Sequence, residues 1–203
     1  FWIVFLGLIM LYIKLCLGEV ILRTKGRHQL AGYASIYLGK LGKALLFFAM
    51  FFGIYAALLA YLLGQGGSLS FLVFGNVNNL LWMGLAFFAL MSLLTYQGFH
   101  ALKKWEPVAM VVVLTTIALI FFYFSPQVKA ENLAELSLGN FFIPFGVILF
   151  ALLGTAAMPE VERMLFREES KLKKAIVIGS ILPVIVYILF AFVVVGSFAE
   201  IPE

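Results

Sequence analysis

The chain has 203 residues, of which 64% are hydrophobic and 12% charged, with a formal net charge of +4. Soluble domains carry about a quarter charged residues, roughly twice this share, so the composition excludes a soluble globular domain and requires an integral membrane protein. The positive charge is no nucleic-acid footprint, because the basic residues sit in short loops between apolar runs, where they set membrane topology.

Apolar runs near the ~20 residues that cross a bilayer predict six transmembrane helices. The first covers residues 1–22 and contains two charges, Lys14 and Glu19. Charges inside a span are functional candidates by default, here for coupling or gating. Their spacing puts them on different helix faces, so no intrahelical pair is implied. Lys14 lies about 12 Å along the axis from the basic end near Arg23 and can snorkel part of that way. Glu19 lies within about a turn of that end and also suits an anchor for the following loop. That loop, 23–43, mixes aromatics, Gly and Lys in its second half, as an interfacial helix does.

The second span, 44–63, places Ala56, Ala60 and Gly64 at four-residue spacing, a small-residue face for close helix contact, with Tyr55 and Tyr61 beside it. Gly64-Gln65-Gly66-Gly67 then reads as an external turn. The third span is 80–96. Pro107 opens the fourth, 107–124, where its missing N–H costs nothing. The fifth is 141–165, and the sixth, 175–198, contains Pro183, which predicts a kink.

Loop charges alternate. Loop 23–43 holds five Lys or Arg, while the connection between the second and third spans holds none. Lys103 and Lys104 lie in 97–106, and Lys171, Lys173 and Lys174 close the run 166–174. The positive-inside rule therefore makes loops 23–43, 97–106 and 166–174 cytoplasmic, and the first span runs from outside to inside. That orientation predicts a further span upstream of Phe1, so the 203 residues are expected to be a fragment, with no visible signal peptide.

Several chemistries find no support. Cys16 is alone, and His28 and His100 have no partners at ligand spacing, so neither a disulfide framework nor a metal site is predicted. In Gly39-Lys40-Leu41-Gly42-Lys43-Ala44, the Ser or Thr that a phosphate loop needs after its Lys is Ala44. No nucleophilic triad or carboxylate pair stands out, so an enzyme is not expected, and no cofactor.

The fifth span is interrupted at 154–160 by Gly154-Thr155-Ala156-Ala157-Met158-Pro159-Glu160. Backbone exposed this way inside a bilayer is tolerated only where it is buried in protein or lines a cavity. Secondary transporters build substrate and ion sites from such breaks. The first half-helix ends near Leu153 with free carbonyls and a partial negative charge that attracts an ammonium group or a cation. Thr155 can cap or bind through its hydroxyl, Ala156 and Ala157 let a ligand approach the backbone, and Phe150 offers an apolar wall. Pro159 suits the first turn of the second half and Glu160 its positive N-terminus, as a cap or gate charge. The bland alternative is a kink healed by neighbouring helices.

The run Leu15-Cys16-Leu17-Gly18-Glu19-Val20, then Leu22-Arg23-Thr24-Lys25-Gly26, resembles the second helix of amino acid permeases. Ala151-Leu152-Leu153-Gly154, Met158-Pro159-Glu160 and Ile178-Gly179-Ser180 resemble their sixth and seventh helices. The nearest group is the amino acid/auxin permease family, with its prokaryotic aromatic branch, in the amino acid–polyamine–organocation superfamily. The resemblance implies an all-α membrane fold in which the six spans are helices 2–7 of the five-plus-five inverted repeat. It also implies a plasma-membrane amino acid symporter working by alternating access, coupled to H⁺ or Na⁺, with Tyr55 lent to the substrate pocket from its third helix. The substrate contacts would be Gly154, Thr155, Ala156, Ala157, Phe150 and Tyr55. The Phe-Gly-Phe-His pattern of the aromatic branch reads Leu152-Leu153-Gly154-Thr155 here, which argues against aromatic specificity. The rival reading is a non-transporting membrane scaffold or complex subunit, whose break serves packing alone.

Overall fold

The computed structural model describes residues 1–96, 99–133, 141–165 and 168–197. Its regular elements are all helical: α1 (Trp2–Arg23), α2 (Leu30–Phe74, broken by a kink at Gly39, where φ is +69°), α3 (Leu80–Tyr96), α4 (Phe99–Phe124), α5 (Ala130–Leu133), α6 (Ile143–Ala151), α7 (Met158–Met164) and α8 (Leu172–Ser197). Among the described residues, five segments are long and apolar enough to cross a membrane, the interrupted α6–α7 stretch among them, while α3 is a shorter apolar helix of 17 residues. The expectation of six spans is thus met by five by length and composition, with α3 below the threshold.

Two boundaries differ from the sequence reading. The glycine run at 64–67 is not a turn: α2 continues to Phe74, and the chain reverses after Gly75, whose φ of +69° is a conformation that suits glycine. Pro107 does not open its helix but lies inside α4, which begins at Phe99. The bond it deletes would reach the carbonyl of Lys103, at the charged end of the helix, where polar surroundings can satisfy it.

The chain divides into two compact units, one of Phe1–Tyr37 and Leu114–Glu203, the other of Leu38–Val113. In the first, α1 packs along α8 and touches α6 and α7. Glycines on α1 permit that approach: a Cβ on Gly7 would stand 2.8 Å from Val184 Cγ2, and one on Gly18 would stand 2.6 Å from Ile176 Cδ1. Positions 7 and 18 are close to three turns apart and so share a face. Two buried clusters fill this unit. Leu6, Met10 and Leu152 form one; Ile21, Tyr33, Met158, Leu172 and Ile176 form the other. At one end, Trp2 Nε1 donates to the Phe141 carbonyl at 2.6 Å. At the C-terminal end of α8, the Gly196 carbonyl accepts from the Lys129 backbone N–H and from Asn132 Nδ2, both at 2.9 Å, which docks α5 there.

The second unit contains a hairpin of α2 and α3. A Cβ on Gly66 would lie 2.5 Å from the Leu80 carbonyl oxygen, and one on Gly84 3.1 Å from that of Leu62, so the backbones meet almost directly. Around Gly64 there is open space, so the predicted Ala56–Ala60–Gly64 face is not the contact; the Leu62–Gly66 side is. Ser70, fully buried, fixes the reversal: its Oγ donates to the Asn76 carbonyl at 2.7 Å and accepts from the Asn79 N–H at 3.2 Å.

Candidate functional site

The interruption begins after Ala151. Leu152 N–H still reaches the Ile148 carbonyl at 3.0 Å and Leu153 N–H reaches Phe150 at 3.2 Å, closing the last turn of α6. Residues 152–154 then leave the helix, Thr155–Ala157 form one 3₁₀ turn, and α7 starts at Met158. Pro159 and Glu160 occupy the first turn of α7, where a missing N–H and a negative charge are both favourable.

A helix that ends inside a membrane protein leaves carbonyls without intrahelical donors. Here two neighbouring helices supply them. Lys14 Nζ, from α1, donates to the Leu152 carbonyl at 3.2 Å, and the Tyr187 hydroxyl, from α8, donates to that of Ala151 at 3.4 Å. The ammonium also lies against Gly154, where a Cβ would come within 3.3 Å of Nζ. Beside the break is a cavity of about 210 Å³, whose lining includes Lys14, Leu152, Gly154, Met158, Ser180 and Pro183. Gly179 and Pro183 both line this cavity, and Pro183 has no N–H to give the Gly179 carbonyl.

The predicted site residues separate into groups. Gly154 and Lys14 meet at the cavity. Thr155, Ala156 and Ala157 form the 3₁₀ turn, with both alanines exposed, and Phe150 is 39% exposed; none of these four lines this cavity. Glu160 is exposed on α7. Glu19 is exposed and bonded to Arg23 Nη2 at 2.5 Å, one turn further along α1. Tyr55 belongs to the second unit, 59% exposed, with its ring 4.6 Å from that of Phe51. The second unit has a larger, open apolar groove of about 700 Å³, lined by Leu58, Tyr61, Phe88 and Tyr96 among others, remote in sequence from the break.

Tyr187 and Ser180 were missing from the sequence reading of the site, as was the pair of Arg27 Nε with Glu162 Oε1 at 3.6 Å. A tyrosine in mid-span at Tyr187 was the available signal for the first; nothing in the local sequence links Arg27 to Glu162.

No curated protein and no solved structure matches the chain. The model of the tryptophan/tyrosine permease family matches residues 1–201. The Leu152-Leu153-Gly154-Thr155 departure therefore does not remove the chain from the aromatic permeases. Leu152 is a core side chain, 4% exposed and packed with Leu6 and Met10, and its carbonyl oxygen accepts the Lys14 hydrogen bond. Across essentially its whole length, this multi-pass membrane chain belongs to the tryptophan/tyrosine permease family, a family of aromatic amino acid transporters in the amino acid–polyamine–organocation superfamily.

Proposed function

We propose that the chain is the core of a secondary active transporter for aromatic amino acids, moving them across the plasma membrane by alternating access with H⁺ or Na⁺ as the coupling ion. The observation that carries this reading is the interrupted α6–α7 span, its carbonyl end facing a cavity between α1 and α8, in a chain of a permease family. Unwound backbone of this kind offers ligands both polar groups and close approach.

The five-plus-five inverted repeat gives α1 and α6–α7 the same direction through the membrane. In support, Trp2 meets Phe141 where both segments begin, and Arg27 meets Glu162 where both end. Connections 23–43 and 166–174 thus share one side, assigned to the cytoplasm together with 97–106 by their basic residues. In this fold the substrate sits against Gly154, Thr155, Ala156, Ala157 and Phe150, with Tyr55 on a separate helix, and Glu160 and Glu19 act at the cytoplasmic gate.

The test is uptake of labelled tryptophan and tyrosine into proteoliposomes containing the full-length transporter, with Na⁺ and proton gradients imposed separately. Uptake that is driven by one gradient and lost in Gly154→Leu supports the proposal. Uptake unchanged in Gly154→Leu would make the break a packing device.

A further inference from the structure

We propose that the Lys14 ammonium is the resident counter-charge of the broken helix, filling the cation position at the carboxyl end of α6 so that this end of the break takes up no free metal cation. The inference deepens the transporter reading by addressing which ions the break can hold, and it rests on that reading only for its consequence in ion coupling.

The argument begins with the end of α6. A helix terminus carries about half a negative charge, concentrated on carbonyls that have no donor. In an apolar setting that charge demands either a bound cation or fixed donors. Two carbonyls at this terminus have fixed donors from neighbouring helices: Tyr187 serves Ala151, and Lys14 serves Leu152. Tyr187 is neutral, so Lys14 alone brings a positive charge.

The surroundings of Lys14 point the same way. Its only acidic neighbour on α1, Glu19, is exposed and turned to Arg23. Among the described residues, none that lines the cavity Lys14 enters is acidic. The counter-charge to the ammonium is therefore the helix end itself, the reciprocal of what the helix end requires. Gly154 lets the ammonium settle against the backbone, since a side chain there would begin 3.3 Å from Nζ and 3.5 Å from Cε. A lysine used merely for snorkelling would extend toward the basic end of α1. Instead it is held to a carbonyl 138 residues away in sequence.

The test uses thermal unfolding of the purified full-length transporter, a readout that needs no transport. Failure here is therefore separable from failure of the transporter proposal. Lys14→Ala is expected to lower the unfolding midpoint by about 5 °C. n-Propylammonium, which replaces the severed side chain, restores at least half of that loss, and has less effect on the wild type. 1-Propanol, equal in size but neutral, restores none. Lys14→Arg stays close to wild type, and Lys14→Gln, which donates without charge, falls with Lys14→Ala. A Lys14→Gln protein as stable as wild type, or equal responses of wild type and Lys14→Ala to propylammonium, would overturn the proposal. If neither neutral variant folds, folding of Lys14→Arg upholds the need for charge, and its failure rejects it.

Discussion

Arg27 and Glu162 face each other at 3.6 Å, joining the connection after α1 to the second half of the broken helix. Glu162 is the more enclosed partner, with its side chain 13% exposed against 42% for Arg27. Neutralising Glu162 leaves a partly shielded guanidinium facing an amide, whereas exchanging the two charges retains the attraction. Glu162→Gln is expected to cost about 1 kcal/mol of stability. The exchange Arg27→Glu with Glu162→Arg should lose at most half of what the two single charge reversals lose together, read as the coupling term of a double-mutant cycle.

The α2–α3 hairpin makes a sharper prediction. At Gly66 a Cβ would collide with backbone, 2.5 Å from the Leu80 oxygen, whereas at Gly67 the nearest atom is a Leu80 methyl at 3.7 Å. Gly66→Ala should destabilise by about 1–3 kcal/mol, because backbone cannot step aside. Gly67→Ala should be neutral, or slightly stabilising through better helix propensity. Thermal midpoints of the two single variants settle the contrast; equal effects would remove the proposed contact.

Gly18 differs because its neighbour is the tip of a side chain. A methyl there would meet Ile176 Cδ1 at 2.6 Å. Gly18→Ala should cost about 1 kcal/mol, and Ile176→Val, which deletes that carbon, should rescue it when combined with Gly18→Ala. Without rescue, the close approach of α1 and α8 would have to depend on other atoms.

Ser70 has no exposed surface and holds two partners in the reversal between α2 and α3. Ser70→Ala leaves the half-buried Asn79 N–H without its acceptor, at a cost of about 1 kcal/mol. Ser70→Thr retains the hydroxyl and should lose less. Hydrogen exchange at Asn79 is the direct probe: it accelerates in Ser70→Ala and stays slow in Ser70→Thr.

Local sequence revealed much of this architecture, and its failures share a cause. The apolar runs gave the helices, and Gly154 with Pro159 marked the interrupted span, because helix periodicity and helix breakers act over a few residues. The glycines at 64–67 misled because the same residue serves a turn and a tight helix crossing; only the presence of Gly84 opposite Gly66 distinguishes the two. A local rule puts Pro107 at a helix start, whereas the helix extends past it toward its charged end. Lys14 was visible as a charge in a span, but its acceptor at Leu152 was not, since no local pattern encodes a contact between distant helices.

The brevity of the two half-helices bears on how the protein is made. α6 has nine residues and α7 has seven. At about 1.5 Å per residue, neither reaches even half of the ~30 Å hydrocarbon layer. Neither half can enter lipid alone as a stable span, and the unwound stretch between them requires donors that lipid does not supply. α1 precedes them in synthesis and brings Lys14, whereas Tyr187 arrives later with α8. During biogenesis the interrupted span must therefore wait beside α1, half-capped, until α8 closes over it, so its insertion is a joint event of three segments, the first more than a hundred residues of chain before the other two.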